Sequence, residues 1–317
     1  MPLLELKNLS VAYRLRQGYL MAVDQVSMEV NEGEVLGIAG ESGCGKSTVA
    51  LSVLRILPKS ARVTGTVAFG GEDVLTMGDE RVRAYRWKHV ALVPQGSMNA
   101  FDPVISVGAQ IVEAIKLHEG ARKEEAWKRA RELFGLVGIP KERVTNYPHE
   151  LSGGMKQRAA IAMALSLSPR LVILDEPTTA LDVVVQKQIL SLLVRLKREL
   201  SVSFMFITHD LSVLAEVATR VAVMYAGKLV EVGPAEVMFR SPSHPYTQAL
   251  MQAIPNVHGD ISQVRSIPGT PPDLTSLQKG CRFSPRCPYS FGRCTVEEPQ
   301  LSPSATGSMA ACHLVGG

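Results

Sequence analysis

Residues 3–9 and 23–30 alternate apolar and polar side chains, the period of half-buried antiparallel strands. Val35-Leu36-Gly37-Ile38-Ala39 is a continuous apolar run and predicts a buried strand, followed by a helix over 48–57. Residues 62–69 predict a strand, 79–87 a short helix, and 90–95 a buried strand stopped by Pro94. From Ser106 to Leu167 the pattern changes to helical periodicity over 106–118, 122–137 and 154–167, with no convincing strand between them. This predicts a helical subdomain, about 100–167, inserted into a sheet domain. Strands return at 171–176 and 203–208, with a helix over 182–200 between them. Residues 221–225 and 228–232 read as a hairpin around Ala226-Gly227, then a short helix over 234–239.

Composition narrows the class. The chain has 317 residues, 46% apolar and 20% charged, which fits a soluble globular protein of about two domains. The net charge of +4 comes with no long basic run and does not indicate a nucleic-acid partner. No apolar run approaches the roughly 18–20 residues a membrane span needs. Met1-Pro2-Leu3-Leu4-Glu5 lacks a basic region followed by an apolar core, so no signal peptide is expected. A cytosolic location follows, with any membrane contact made through another protein. Of five cysteines, one is Cys44 and four lie between Cys281 and Cys312. In a reducing compartment such a cluster suggests metal before disulfides.

The candidate chemistry begins between the buried strand at 35–39 and the helix after it. Gly40-Glu41-Ser42-Gly43-Cys44-Gly45-Lys46-Ser47, followed by Thr48, has the G-x-x-x-x-G-K-[ST] spacing of a phosphate cradle. Glycines let backbone N–H groups converge on phosphate oxygens, and the helix start adds partial positive charge. Lys46 would reach the β/γ-phosphates of a bound nucleotide and the Ser47 hydroxyl would bind Mg²⁺. Cys44 is most simply a small loop residue. Tyr13, upstream, either stacks on adenine or ends a strand with its hydroxyl in water. Gln95, at a strand's carboxyl end, either coordinates Mg²⁺ or orients the attacking water, or is a loop glutamine bound to water. Leu151-Ser152-Gly153-Gly154-Met155 is a second anion-binding helix start, which one nucleotide needs only if it comes from a different chain. Leu171–Glu176 is an apolar strand ending in two acids: Asp175 would hold Mg²⁺ and Glu176 would act as general base. Asp182 caps the next helix or meets a partner chain. His209 ends another strand, where an imidazole can donate to the γ-phosphate.

Together GESGCGKS, LSGGMKQR, LVILDEP and ITHD resemble the ATP-binding cassette (ABC) ATPases over about residues 3–240. The resemblance implies an α/β, P-loop (RecA-like) core with an antiparallel β subdomain and the inserted helical subdomain, residues 1–240 in all. It also implies a head-to-tail dimer with two ATP molecules sandwiched at the interface, Lys46 and Ser47 of one subunit facing Ser152 and Gly154 of the other. By motif position, Tyr13 is the adenine-stacking residue, Gln95 the Q-loop, Glu176 the catalytic carboxylate, Asp182 the D-loop and His209 the switch histidine. Met155 departs from the glutamine many members carry. DNA-repair members insert a long coiled coil, for which the about one hundred residues between Lys46 and Leu151 leave no room. Translation-type members usually carry two cassettes in one chain, and one is present here. No Asn-Lys-x-Asp guanine-reading motif is present to indicate a GTPase.

Residues 241–317 narrow the resemblance. Ser243-His244-Pro245-Tyr246-Thr247 opens the segment, and Cys281, Cys287, Cys294 and Cys312 follow with C-x5-C-x6-C-x17-C spacing. This is similar to the ATP-binding subunits of peptide/nickel-type importers, specifically dipeptide and oligopeptide transporters, some of which carry a [4Fe-4S] cluster here. Lys279, Arg282, Arg286 and Arg293 could offset its charge. A Cys₄ zinc site, or Cys₃His with His313, is the alternative, and the lack of paired C-x₂₋₄-C spacing disfavours it. The resemblance implies ATP and Mg²⁺ as ligands and a second, commonly paralogous, ATPase subunit. It further implies two membrane permease subunits and an extracytoplasmic substrate-binding protein, with this chain at the cytoplasmic face of the membrane. Peptides are the expected cargo, with nickel and oligosaccharides open.

Overall fold

The alternation at the start of the chain builds a longer ladder than its period shows. In a computed structural model that describes residues 1–16, 18–253 and 267–315, β1 runs Leu4–Arg14 and pairs antiparallel with β2, Tyr19–Val30. The register shifts between Leu6 and Leu9, where Asn8 adopts φ 50° and its N–H donates to Ser27 Oγ at 2.9 Å. A bulge moves side chains to the other face, so the alternation breaks while the strand continues through Tyr13. Next come β3, Val35–Ala39, with every residue buried, and α1, Lys46–Val53. That helix stops short of residue 57 because Arg55 turns left-handed, φ 50°. β4, Ala61–Phe69, and β5, Glu72–Asp73, complete an antiparallel sheet in the order β2-β1-β4-β5.

The described chain divides into two compact units, Met1–Thr76 with Ile207–Gly317, and Met77–Phe206. The second unit opens with α2, Asp79–Lys88, which breaks at Trp87, φ 70°. β6, Val90–Val93, follows and ends before Pro94. α3, Val107–Glu119, and α4, Lys123–Leu136, pack together. They bury Val107, Ile111 and Ile115 on one and Ala126, Ala130 and Leu133 on the other, the i, i+4 stripes their sequences predict. α5, Gly153–Ala164, leads to β7, Leu171–Asp175, which pairs in parallel with β6. α6, Val183–Leu200, follows, and β8, Ser203–Ile207, carries the chain past Phe206, where the unit ends. As expected, no strand falls between 106 and 167 among the described residues.

The remainder returns to the first unit. α7, Leu211–Val217, has no counterpart among the predicted elements; at seven residues it is too short for helical periodicity to register. Its Leu214 fills the space beside Gly37, where an added Cβ would come within 2.8 Å of Leu214 Cδ1. β9, Arg220–Tyr225, lies parallel to β3 and antiparallel to β10, Lys228–Pro234. Their turn takes left-handed backbone at both Ala226 and Gly227, the pairing a tight hairpin demands. α8, Ala235–Arg240, α9, Pro245–Gln252, and α10, Gly292–Val296, follow. Two short strands, β11, Ser302–Pro303, and β12, Met309–Ala310, extend the edge beyond β10. The Pro/Gly stretch at 268–272 is loop, while residues 254–266 between it and α9 lie outside the described residues. Among the described residues no helix is long and apolar enough to cross a membrane.

Candidate functional site

The loop from β3 to α1 is shaped by its glycines. Gly40, Gly43 and Gly45 have φ of 148°, 81° and 104°, values that side-chain-bearing residues rarely adopt. A Cβ at Gly40 would lie 2.2 Å from the Met224 carbonyl oxygen, and one at Gly45 2.3 Å from that of Ala22. Gly43 faces open space, with nothing within 4 Å of a Cβ position. The backbone is thus pressed against its own unit at two points and open at the middle. Lys46 is only 5% exposed, and Nζ donates to the carbonyls of Gly40 and Glu41 at 2.7 and 3.0 Å. A buried cation held by neutral oxygens is suited to an anion that replaces them. Cys44 is buried, and burial raises its thiol pKa against the opposing pull of Lys46, so it is a neutral packing residue. Ser42 is exposed, Ser47 and Thr48 are half-buried, and Tyr13 Oη lies 3.3 Å from Thr48 Oγ1. His209 is exposed and follows Thr208, whose N–H donates to Ile38 two residues before the loop.

In the other unit, β7 delivers Asp175, buried, and Glu176, half-buried, at its carboxyl end. Glu176 has φ 49°, which turns the chain sharply away from the strand. Its Oε2 accepts from Gln95 Nε2 at 3.0 Å and from Thr179 Oγ1 at 3.1 Å. The Gln95 contact uses the amide N–H, not the oxygen expected on Mg²⁺. Thr179 was not singled out by sequence reasoning; its position three residues after an acid in a tight turn is the signal that could have found it. Asp182 caps α6 by accepting from Val185 N at 2.9 Å. Ser152 caps α5 by accepting from Met155 N at 3.3 Å, and Ser152 and Gly153 are exposed. Gly154 is close-packed, since a Cβ there would come within 2.6 Å of Val185. Mg²⁺ prefers hard oxygen donors, and each unit by itself offers some: the hydroxyl of Ser47 in the first, the amide oxygen of Gln95 and the carboxylate of Asp175 in the second.

Segment 241–315 is fastened to the first unit by polar contacts. The buried carboxylate of Glu231 accepts from the N–H groups of Ser243 and His244 and from Ser308 Oγ. His244 caps α9 through Nδ1, Pro245 occupies its first turn, and burial lowers the imidazole pKa to about 4. Tyr246 then reaches the phosphate loop, its Oη accepting from Glu41 N at 3.0 Å. Arg286 forms a two-pronged ion pair with the Glu41 carboxylate at 2.7 and 3.0 Å. Arg282 pairs with Asp24, and Lys228 bridges Asp24 and Glu298. Sequence reasoning missed the roles of Tyr246 and Arg286, because no local pattern announces a contact 205 or 245 residues away.

The metal-cluster expectation finds no support among the described residues. Cys281, Cys287, Cys294 and Cys312 are free and influence one another electrostatically, and Cys281 N donates to Cys294 O at 2.8 Å. Yet among the described residues no group of three or more His, Cys, Asp or Glu side chains could hold a metal ion. Burial pushes the Cys281 thiol up to about 11 and raises Cys287 and Cys312, because a thiolate without a cation is penalised there. The described residues therefore give no support to a [4Fe-4S] cluster or a zinc site.

Comparison with known proteins places this arrangement. The family described as ABC transporter matches residues 23–179, and the family described as oligopeptide/dipeptide transporter, C-terminal region, matches residues 230–294. A probable peptide ABC transporter ATP-binding protein of Sinorhizobium fredii is 46% identical over 315 residues, covering 98% of this chain and 94% of that protein. The dipeptide transport ATP-binding protein of Escherichia coli is 43% identical over 316 residues, covering 99% and 97%. Among solved structures, an ATP-binding cassette captured as a dimer after hydrolysis, with ADP and Pi bound, matches with a TM-score of 0.65 at 27% identity. That match covers 73% of this chain and 98% of the cassette. With cassette and C-terminal region both matched in one chain, this protein belongs to the ABC transporter ATP-binding proteins of the oligopeptide/dipeptide group and is an ATPase of cassette fold.

Proposed function

We propose that this chain energises import of di- or oligopeptides by binding and hydrolysing ATP on the cytoplasmic face of a membrane. In this reading it works with a second, paralogous ATPase subunit, two permease subunits and an extracytoplasmic substrate-binding protein. The observation that carries it is a phosphate loop with a buried lysine joined, in one chain, to a C-terminal region of the oligopeptide/dipeptide type. The relatives matched nearly end to end are named for peptide and dipeptide transport, which favours peptides over nickel or oligosaccharides. The reading keeps residues 1–240 as the ATPase domain and 241–317 as its extension.

The residues carry these roles in the proposal. Backbone N–H groups of residues 40–48 and the Lys46 ammonium bind the β- and γ-phosphates, and Tyr13 stacks on adenine. Ser152, Gly153 and Gly154 of the opposing subunit close over the γ-phosphate, with Asp182 at the subunit contact. Val183 and Val184, 68% and 66% exposed directly after Asp182, are consistent with a surface meant for a partner. Glu176 takes the proton as water attacks the γ-phosphorus, one P–O bond forming as the bridging P–O bond to ADP breaks. Gln95 keeps Glu176 in place, and His209 donates to the γ-phosphate. When bound, Mg²⁺ would be held by oxygens of Ser47, Gln95 and Asp175 and would supply charge neutralisation on the phosphates. ATP favours the closed dimer because it contacts both chains there, and that differential affinity moves the permeases.

The finer reading of Cys281, Cys287, Cys294 and Cys312 as [4Fe-4S] or zinc ligands rests on their spacing and mutual influence. Iron, zinc and acid-labile sulfide analysis of protein purified without oxygen decides it. For the function as a whole, the test is the intact transporter in lipid nanodiscs with its binding protein. ATPase activity stimulated by peptides and peptide uptake lost in Glu176→Gln are the expected results. Stimulation by nickel or oligosaccharides without any by peptides overturns the peptide assignment.

A further inference from the structure

We infer that Arg286 and Tyr246, both outside the cassette motifs, are positioning residues for the phosphate loop. The inference rests on ATP binding at residues 40–48 and concerns what sets the affinity of that site. Glu41, the second residue of the loop, is held in three ways. Its carboxylate meets both terminal nitrogens of Arg286, at 2.7 and 3.0 Å. Its N–H donates to Tyr246 Oη at 3.0 Å. Its carbonyl accepts from Lys46 Nζ at 3.0 Å. Two of these holds come from the C-terminal segment, and the third is the lysine that must swing to a phosphate.

The supports are themselves fixed. Arg286 is buried, its Nε donates to Pro268 O at 2.8 Å, and Nη1 also donates to Tyr225 Oη at 3.2 Å. Tyr246 has no exposed surface, and its ring packs against Tyr225 and Phe283 at centroid distances of 4.6 and 5.3 Å. Arg286 lies in the turn that begins at Cys281, where Ser284 N donates to Cys281 O at 3.0 Å and Arg286 N to Phe283 O at 2.9 Å. The segment bearing the cysteines thus supplies the counter-ion of the phosphate loop.

The electrostatic consequence is specific. A carboxylate inside a loop built for a triphosphate repels it, and the paired guanidinium cancels that charge while fixing its direction. Removing Arg286 frees a negative charge beside the incoming phosphates. Removing Glu41 as well removes the charge that did the harm. A purely structural role for Arg286 predicts no such recovery.

The test uses the full-length chain, titrated with a fluorescent ATP analogue and Mg²⁺, with turnover measured in the assembled transporter. Wild-type binding is checked first, since its absence would fault the nucleotide site itself and not this inference. Arg286→Met should raise Kd and KM for ATP about tenfold, with kcat at saturation within about twofold of wild type. Arg286→Met combined with Glu41→Gln should restore Kd to within about threefold. Tyr246→Phe, which keeps the ring and the packing, should raise Kd about threefold through loss of the Glu41 N–H acceptor. Unchanged affinity in Arg286→Met, or a double variant no better than the single, overturns the inference. If Arg286→Met does not fold, Tyr246→Phe decides: an unchanged Kd overturns it and the rise sustains it.

Discussion

The phosphate loop and the turn after Asp175 hold their charged side chains in opposite ways. Lys46 is buried and bound by main-chain carbonyls, in a loop whose glycines press against neighbouring backbone. Glu176 is half-buried and bound by the side chains of Gln95 and Thr179, on a left-handed residue that is not glycine. A cation held by backbone is set by the fold and changes only if the fold gives way. A carboxylate held by side chains from a loop is adjustable, because the loop can withdraw a donor without disturbing a strand. The first suits a binding device and the second a trigger.

The sharpest way to break this contrast is at Glu176. Glu176→Gln keeps the shape and the ability to meet Gln95 and Thr179 but removes the carboxylate proposed as base. Turnover should fall about 10²–10⁴-fold while ATP binding is retained. Single-turnover hydrolysis alongside nucleotide titration separates the two, and undiminished turnover would remove Glu176 from the role of base. The mirror substitution is Gly45→Ala. It forces φ 104° on a residue with a side chain and places that side chain 2.3 Å from Ala22 O. Strain of about 1–3 kcal/mol should appear as a lower Tm, and nucleotide affinity should fall about tenfold or more. Binding lost with turnover chemistry intact is the opposite signature to Glu176→Gln.

The two sites were also legible to different degrees. The glycine loop, the acid pair and both helix starts were readable as local structure, because each is a run of adjacent residues whose backbone course follows from neighbouring side chains. Asp182 and Ser152 cap the helices their sequences predict. The register slip at Asn8 and the short helix α7 were not readable, since one breaks the period and the other is too brief to establish it. Harder still were Tyr246 and Arg286. The His-Pro-Tyr segment was visible as a marker, but its purpose is a contact with Glu41 across 205 residues. The cysteine spacing suggests a metal, whereas what the described residues show is free, half-buried to buried cysteines around a loop whose arginine pairs with Glu41.

The C-terminal segment also gives the fold a pH dependence, through His244. His244 caps the helix that carries Tyr246, its main-chain N–H donates to the Glu231 carboxylate and its ring packs against Phe283. Its pKa is lowered to about 4, below the ordinary histidine value of 6.5, because burial disfavours the charged ring. Between those values the unfolded chain binds the proton first, so stability rises with pH. The contribution is complete above pH 6.5 and is lost as pH falls toward 4, amounting to about 3 kcal/mol at most. Urea unfolding from pH 7.5 to 4.5 should show this slope, and His244→Asn, which can still cap the helix, should flatten it. A slope unaltered by the substitution would place the acid sensitivity elsewhere.

The smallest effect is expected at the adjustable end of the contrast. Gln95 donates to Glu176 at 3.0 Å, but Thr179 holds the same oxygen at 3.1 Å, so either donor alone can keep the carboxylate near its place. Gln95→Ala and Thr179→Ala should each lower kcat only about three- to tenfold. Together they should cost more than the product of the single losses, since the second removal leaves the carboxylate without either donor. Strict multiplicativity would mean that the two contacts act independently, and Glu176 would then be fixed by more than these two donors. In that case the turn after Asp175 would be as rigid as the phosphate loop, and the trigger would have to lie in the motion of a larger element.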